Sequence, residues 1–536
     1  MYNETPVNSY ECDECLIRGL CSLNPTLSSL QEVILLHLKE LAFYLLKLKD
    51  FGVTNNPVKE LILTSLFNIV TNADYNQEQF HNLISKLDNS VTEAKNIYVH
   101  FCENKEVEIE KVKMYFKHNK KFNLIDAIRK GEKYFIKKNT TFTPKQKDLF
   151  DILLFFIKSM SIKIIELKNL AKEHENAYYA ILTLLNVLNS TKFCEEEVLQ
   201  ELDRCIDIYY DLLKTLLETQ IALYGEPSAV NVSFSIEAGK AILVSGFDYK
   251  RLESVLEAVK TTDINVYTHG MEMLMAHCFP KFRSYKNLKG HFGSGIHTSM
   301  IDFARFPGAV LMTKGCLQRC EYLYRGRLFT SDLIPPVGVV KIKNHNYEDL
   351  IKSALEAKGF TKTVQKPSLT VGFLFDEVKS KINKTIDKIV KKEIKYIYFI
   401  GLLNFQSVDK HYFDRFFELL SEDSFIFSFS YKKDGDNIFY LDSLFDYSLV
   451  YKILKEIRLR IPLKELNITI FLTSCDKHTI SNLLYLRHSG IKNLYMCKCP
   501  PTLINPTLIK TLLTTFGIKE FSDPQKDFEE IKENTL

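Results

Sequence analysis

The sequence predicts a helical bundle domain followed by two Rossmann-like α/β domains with parallel sheets, an α plus α/β architecture. Three observations carry this prediction. The first part of the chain repeats apolar stripes at helical spacing with few Pro or Gly between them. Its texture changes at Tyr224-Gly225-Glu226-Pro227, a turn signal. Beyond that point short β-rich runs alternate with helical segments, the pattern of parallel α/β sheets. A length of 536 residues suits about three domains. The expected boundaries are 1–225 for the helical domain with its cysteine motif, 226–366 for the first α/β domain and 367–536 for the second.

The chain opens on Cys12-x-x-Cys15 with Cys21 close behind. Two thiolates at this spacing point the same way and can grip one metal ion or one edge of a cluster. Incidental cysteines are the alternative. Next, Ile34, Leu38, Leu41, Leu45 and Leu48 step by four, three, four and three, which is one helical stripe. Similar stripes run over Lys145 to Lys168, His174 to Leu188 and Glu195 to Tyr224. Buried strands are expected at Ile242 to Ser245, Ile264 to Tyr267, Ala309 to Met312 and Val337 to Ile342. A second group follows at Tyr396 to Ile400, Phe425 to Phe429, Ile468 to Leu472 and Lys492 to Met496. The stretch from Asn344 to Lys366 joins the two units.

Several cysteines fall after these strands, where α/β proteins build sites. They are Cys278, the pair Cys316 and Cys320, Cys475, and the pair Cys497 and Cys499. Plain burial is the common fate of such residues. Gly290-x-x-Gly293-Ser294-Gly295 reads as a turn, because it lacks the lysine-hydroxyl ending of a phosphate loop. No HExxH and no GxSxG occurs, so zincin and α/β-hydrolase chemistry have no support.

Lys plus Arg number 70 and Asp plus Glu 66, a net charge of +4, which offers no dominant basic face for nucleic acid. No apolar run reaches membrane-spanning length, so no membrane partner is expected. The N-terminus lacks a signal or transit pattern, which predicts a cytoplasmic protein with reduced cysteines.

From Ala241 onward the residues resemble the hybrid cluster protein family, also called hydroxylamine reductase or prismane protein. The resemblance rests on AILVSGFD at 241–248, INVYTHGMEMLMAHCFP at 264–280 and ARFPGAVLMTKGC at 304–316. It extends through RLFT at 327–330, TVGF at 370–373, HYF at 411–413 and GIKN at 490–493, and upstream to LYGEPSAVNV at 223–232. It implies a helical domain and two α/β domains, as in the related carbon monoxide dehydrogenases. It implies a cubane iron–sulfur cluster near the N-terminus and a hybrid iron–sulfur–oxygen cluster where the domains meet. The implied activity is reduction of hydroxylamine and nitric oxide.

Position by position, the resemblance also implies a loss. The family's histidine ligand falls at Phe247, and its persulfide cysteine at Leu402. Another cysteine ligand falls at Tyr431. Cys316 keeps a cluster cysteine. Asp446 and Asp476 stand where a cysteine and a glutamate belong, and Glu272 is the carboxylate nearest to a ligand position displaced by one inserted residue. Phe and Leu cannot bind iron, and one thiolate among oxygen donors suits an Fe–S cluster poorly. Bulky replacements suggest a cavity refilled with side chains. At the N-terminus Cys12, Cys15 and Cys21 leave one thiolate missing from the family's pattern, and three sulfurs plus another ligand still suffice for a cluster. The expectation is a degenerate homologue, a pseudoenzyme without the hybrid cluster, retaining an N-terminal iron–sulfur cluster and acting with a redox or regulatory protein partner. The alternative is an iron–sulfur oxidoreductase with an altered cluster, built from Cys278, Cys316, Cys320, Cys475, Cys497 and Cys499.

Overall fold

The computed structural model describes residues 25–53, 58–69, 77–110, 123–189, 194–293, 299–313, 322–332, 335–343, 346–372, 375–402, 408–429, 435, 437–440, 447–472, 477–497 and 506–534. Within residues 25–224 the described chain forms seven helices. These are α1 (Pro25–Asp50), α2 (Lys59–Asn68), α3 (Gln77–Asn104), α4 (Leu124–Thr141), α5 (Pro144–Asn169), α6 (Glu175–Val187) and α7 (Glu195–Tyr224). The stripe in α1 is buried at Ile34, Leu38, Leu41 and Leu48, with Leu45 packed at its margin.

Local chemistry fixes the helix ends. At the start of α5, Thr143 Oγ1 accepts the Gln146 N–H at 3.2 Å while Gln146 Oε1 accepts the Thr143 N–H at 3.0 Å. This reciprocal cap, followed by Pro144, is a strong helix start. Three glutamates open α7, where negative charge complements the helix dipole. Gly225 ends it at φ 89°, a conformation that glycine adopts without cost.

Two six-stranded parallel sheets follow. The first contains β2 (Ala241–Ser245), β3 (Asn265–His269), β4 (Leu288–His291), β5 (Ala309–Met312), β6 (Leu328–Thr330) and β7 (Val340–Lys341) in the order β4-β3-β2-β5-β6-β7. The second contains β9 (Tyr396–Leu402), β10 (Ser424–Ser428), β11 (Ile438–Tyr440), β12 (Asn467–Leu472), β13 (Asn493–Met496) and β14 (Ile518–Glu520) in the order β11-β10-β9-β12-β13-β14. Both are doubly wound, and the strand order reverses between β2 and β5 and between β9 and β12. Open α/β sheets bind ligands at such switch points, outside the carboxyl ends of the strands.

Three readings of the sequence are corrected here. Val337 to Ile342 is not a buried strand: only Val340–Lys341 pairs, at the sheet edge, and Val340 is exposed. Gly290 is not in a turn but within β4, where a Cβ would lie 2.2 Å from the Ser233 carbonyl oxygen. The stretch 344–366 is more than a connector. Its helix Glu348–Glu356 packs Leu350 and Ala354 into the core beside β2 and β5. It then returns through bridges Gly239↔Phe360 and Ile236↔Val364. Those bridges continue into an antiparallel ribbon of β1 (Val230–Ser233) and β8 (Ser368–Val371), so the chain enters and leaves the first sheet side by side.

Helix α5 touches every part of this arrangement. It packs against α2, α6 and α7, and also against the helices Lys477–His488 and Pro506–Phe516 of the second sheet. Ile152, Leu153, Phe156, Ile157, Met160 and Leu167 are fully buried along it. At its start, the buried Asp148 accepts a hydrogen bond from Thr511 Oγ1 at 2.7 Å. Removing that donor takes one hydrogen bond away from a buried carboxylate. Thr511→Val is therefore expected to cost ~1–3 kcal/mol and lower the midpoint of thermal unfolding, measured by calorimetry.

Candidate functional site

The switch point of the first sheet is built by the turn Ser245-Gly246-Phe247-Asp248, which follows β2. Thr313, just past β5, closes it. Its N–H and its hydroxyl both donate to the Ser245 carbonyl, at 2.7 and 3.0 Å, and its Oγ1 accepts the Asp248 N–H at 3.2 Å. Gly246 sits at φ 116°, and a Cβ there would lie 1.9 Å from the Thr313 carbonyl oxygen. Only glycine permits the approach. Asp248 then caps the helix Tyr249–Val259, accepting the Arg251 N–H at 3.1 Å.

Phe247 is buried and packs with Phe67 and Ile162, and with Ile165 at the edge of the cluster. Helix α5 covers this turn with one face. Beside Ile162, the Lys163 ammonium lies 5.9 Å from the centre of the Phe247 ring. Its Nζ is 3.0 Å from Glu166 Oε2 and 3.6 Å from Glu272 Oε1. Gln220 Nε2 on α7 donates to the other Glu166 oxygen at 3.1 Å. One helical turn beyond Glu166, Asn169 Nδ2 donates to Asp248 Oδ2 at 2.9 Å. Glu272 lies on the short helix Met271–Met275, whose carbonyl at Glu272 accepts from the Tyr249 hydroxyl at 2.9 Å.

The charges here shift one another. Burial pulls the Lys163 ammonium down, but the charges of Glu166 and Glu272 outweigh it and hold Lys163 above the usual lysine range. Burial pushes the Glu166 carboxyl up, against the pull of Lys163. Lys163 therefore stands as a cation between two carboxylates, over an aromatic ring.

A second polar group lies behind the strand ends. His269 Nδ1 is 2.8 Å from Ser245 Oγ and its Nε2 is 3.3 Å from Asp302 Oδ2. An ionised carboxylate only accepts, so His269 Nε2–H donates to Asp302, and in the neutral imidazole Nδ1 then accepts a hydrogen bond from the Ser245 hydroxyl. Thr268 Oγ1 lies 2.8 Å from both His277 Nε2 and His291 Nδ1. Its one hydroxyl hydrogen goes to one of these imidazoles or to the Gly290 carbonyl at 3.5 Å, and its lone pairs accept from the remaining ring N–H groups. Ser245, His269 and Asp302 have the composition of a nucleophilic triad, but all are buried. They pin the ends of β2 and β3 to the helix Ser299–Arg305 and present no nucleophile to a substrate.

The residues singled out in sequence divide as follows. Phe247 is inside, and Glu272 faces Lys163 with its side chain 41% exposed. Leu402 ends β9 opposite Leu472, across an irregularity in the register. Such irregularities recur beside sites. Cys278 is buried with Val232, Leu274, Met275 and Val371. Cys497 is half-buried after β13, against the core of the second sheet. These two thiols belong to different apolar clusters. Cys12, Cys15, Cys21, Cys316, Cys320, Tyr431, Asp446, Cys475, Asp476 and Cys499 lie outside the described residues. Among the described residues no group of three or more His, Cys, Asp or Glu is arranged to hold a metal ion, and no helix is long and apolar enough to cross a membrane. Sequence reasoning missed Lys163 and Glu166. Their signal was an i, i+3 ion pair set among the apolar residues of α5.

Comparison with known proteins gives a consistent result. Residues 10–430 match the Prismane/CO dehydrogenase family. The hydroxylamine reductase of Syntrophobacter fumaroxidans is 26% identical, over 97% of this chain and 99% of the relative. That of Methanocella arvoryzae is 25% identical, over 97% and 99%. Among solved structures, carbon monoxide dehydrogenase IV from Carboxydothermus hydrogenoformans superimposes with a TM-score of 0.50, at 11% identity, over 96% of this chain and 88% of that one. This last likeness is one of fold.

The buried histidines make the fold sensitive to acid. Burial lowers His277 from 6.5 to about 4, and His291 well below its usual value. Both are neutral in the folded state, while the unfolded chain takes up protons once the pH drops below 6.5. Stability is therefore fully present above 6.5 and lost as the pH falls toward 4. Thermal unfolding followed against pH is expected to show this loss, with a shallower slope in His277→Gln.

Proposed function

The chain belongs to the Prismane/CO dehydrogenase family, and on that premise we propose that it is a hydroxylamine reductase-like homologue whose hybrid-cluster place is filled by side chains. On this reading it does not turn over hydroxylamine or nitric oxide. The observation that carries the reading is Phe247, buried against Phe67 and Ile162 with the Lys163 ammonium beside its ring. A hybrid iron–sulfur–oxygen cluster does not fit these residues. Phe247 offers no lone pair where the resemblance places a histidine ligand. A lysine ammonium paired to Glu166 and Glu272 is a poor neighbour for iron, because cations repel and both carboxylates are already engaged. The ring and the aliphatic stem of Lys163 occupy volume that an emptied site would otherwise leave as a costly void.

The scaffold then serves binding rather than turnover, with a redox or regulatory protein as partner and the cytoplasm as its compartment. Cys12, Cys15 and Cys21 are the residues we assign to an N-terminal iron–sulfur cluster, since thiolates are its natural ligands. The altered-cluster alternative draws on Cys316, Cys320, Cys475 and Cys499. Cys278 and Cys497 weaken it, because they pack into separate apolar clusters.

Iron and acid-labile sulfide, measured per chain on protein purified without oxygen, test the proposal. The expected result is about four irons, lost when Cys12, Cys15 and Cys21 are changed to Ser, and no hydroxylamine turnover. About eight irons together with hydroxylamine reduction would overturn it.

A further inference from the structure

We infer that Lys163 is a positioning residue that latches the helical part of the chain onto the first α/β sheet, standing between Glu166 on its own helix and Glu272 across the junction. The inference rests on the reading that no cluster ties the parts together at this place. A cluster with ligands from several segments is a covalent cross-link. Without one, the junction is held by side chains: an apolar part, in which Tyr224 of α7 packs against Tyr249, Phe279 and Phe282, and a polar part centred on α5.

From α5, Ile162 packs on Phe247, Lys163 reaches Glu272, and Asn169 donates to Asp248. These residues recur at helical spacing, so they lie along one side of α5. Lys163 is central because it serves both sides. Its inner partner Glu166 is buried and held by Gln220, which fixes the ammonium to the helical bundle. Its outer partner Glu272 is partly exposed and belongs to the helix Met271–Met275, whose position is tied to Tyr249 by the Tyr249 hydroxyl. Tyr209, Asp248 and Tyr224 are further titratable groups around the pair. The two halves of the latch differ in shielding. Salt reaches Glu272 and weakens the outer contact, whereas the Lys163–Glu166 contact is screened far less.

The test is amide hydrogen exchange on the full chain, read at residues 246–250 and 270–276, in wild type, Lys163→Met, Lys163→Arg and Glu272→Gln. Lys163→Met keeps the stem and removes the charge. It is expected to raise exchange in both segments about tenfold or more and to lower the unfolding midpoint by ~3–8 °C. Lys163→Arg restores protection, since it keeps the charge. Glu272→Gln raises exchange in the same segments without unfolding the bundle and abolishes the salt dependence that wild type shows there. Unchanged exchange in both Lys163→Met and Glu272→Gln overturns the latch. If Lys163→Met does not fold, Glu272→Gln decides alone, because its carboxylate is partly exposed. Iron content of the same wild-type sample separates the two readings. Iron beyond an N-terminal cluster sinks the refilled site, while the absence of such iron together with unchanged exchange sinks the latch only.

Discussion

The structure depends on one helix being shared. Helix α5 is apolar on more than one face, and such a helix is stable only when enclosed. The bundle encloses it with α2, α6 and α7, and the second sheet with the helices Lys477–His488 and Pro506–Phe516. The turn after β2 closes the remaining side through Phe247 and Asp248. The capping box at Thr143 fixes where the helix begins, so its face residues meet these neighbours in one register. Neither sheet can shift against the bundle without exposing part of α5, and the switch point of the first sheet inherits its position from that constraint.

Enclosure makes the charge at Lys163 consequential. A mostly enclosed ammonium, here with its side chain 14% exposed, is tolerated only where opposite charge and hydrogen bonds replace most of its water. Both replacements exist. Glu166 faces it at 3.0 Å, and Gln220 occupies the far oxygen of that carboxylate. Glu272 adds a longer contact from across the junction. The pair supplies little net stability compared with apolar packing. Its effect is to penalise arrangements in which the partners separate, which is specificity rather than strength.

Much of the fold was legible because it is written in periodicity. The stripes at Lys145 to Lys168 and Glu195 to Tyr224 match α5 and α7 almost residue for residue. The strands with continuous apolar runs, such as Ala309 to Met312, coincide with β5. The failures have physical causes. β7 is a two-residue edge strand, where burial gives no pattern to read. Gly290 signalled a turn by composition, yet its missing Cβ serves the close pass of the Ser233 backbone. Of the site, Phe247 stood out in the sequence as a side chain without a donor atom. Lys163 did not, because a lysine on a long helix ordinarily reads as a solvated face, and only tertiary packing turned this one inward.

Fold and site chemistry separate for a reason visible at the first switch point. The contacts that shape the turn are made by backbone and by small groups: Gly246 against the Thr313 carbonyl, the Thr313 hydroxyl on the Ser245 carbonyl, and the chain from Ser245 through His269 to Asp302 behind it. None of these involves the side chain at position 247. The turn can therefore keep its geometry whatever side chain stands at 247, provided that side chain packs. The chain aligns with a hydroxylamine reductase over nearly its full length at only 26% identity. Shared architecture is maintained by packing and backbone constraints that do not report on the chemistry at one position, so function has to be argued from that position itself.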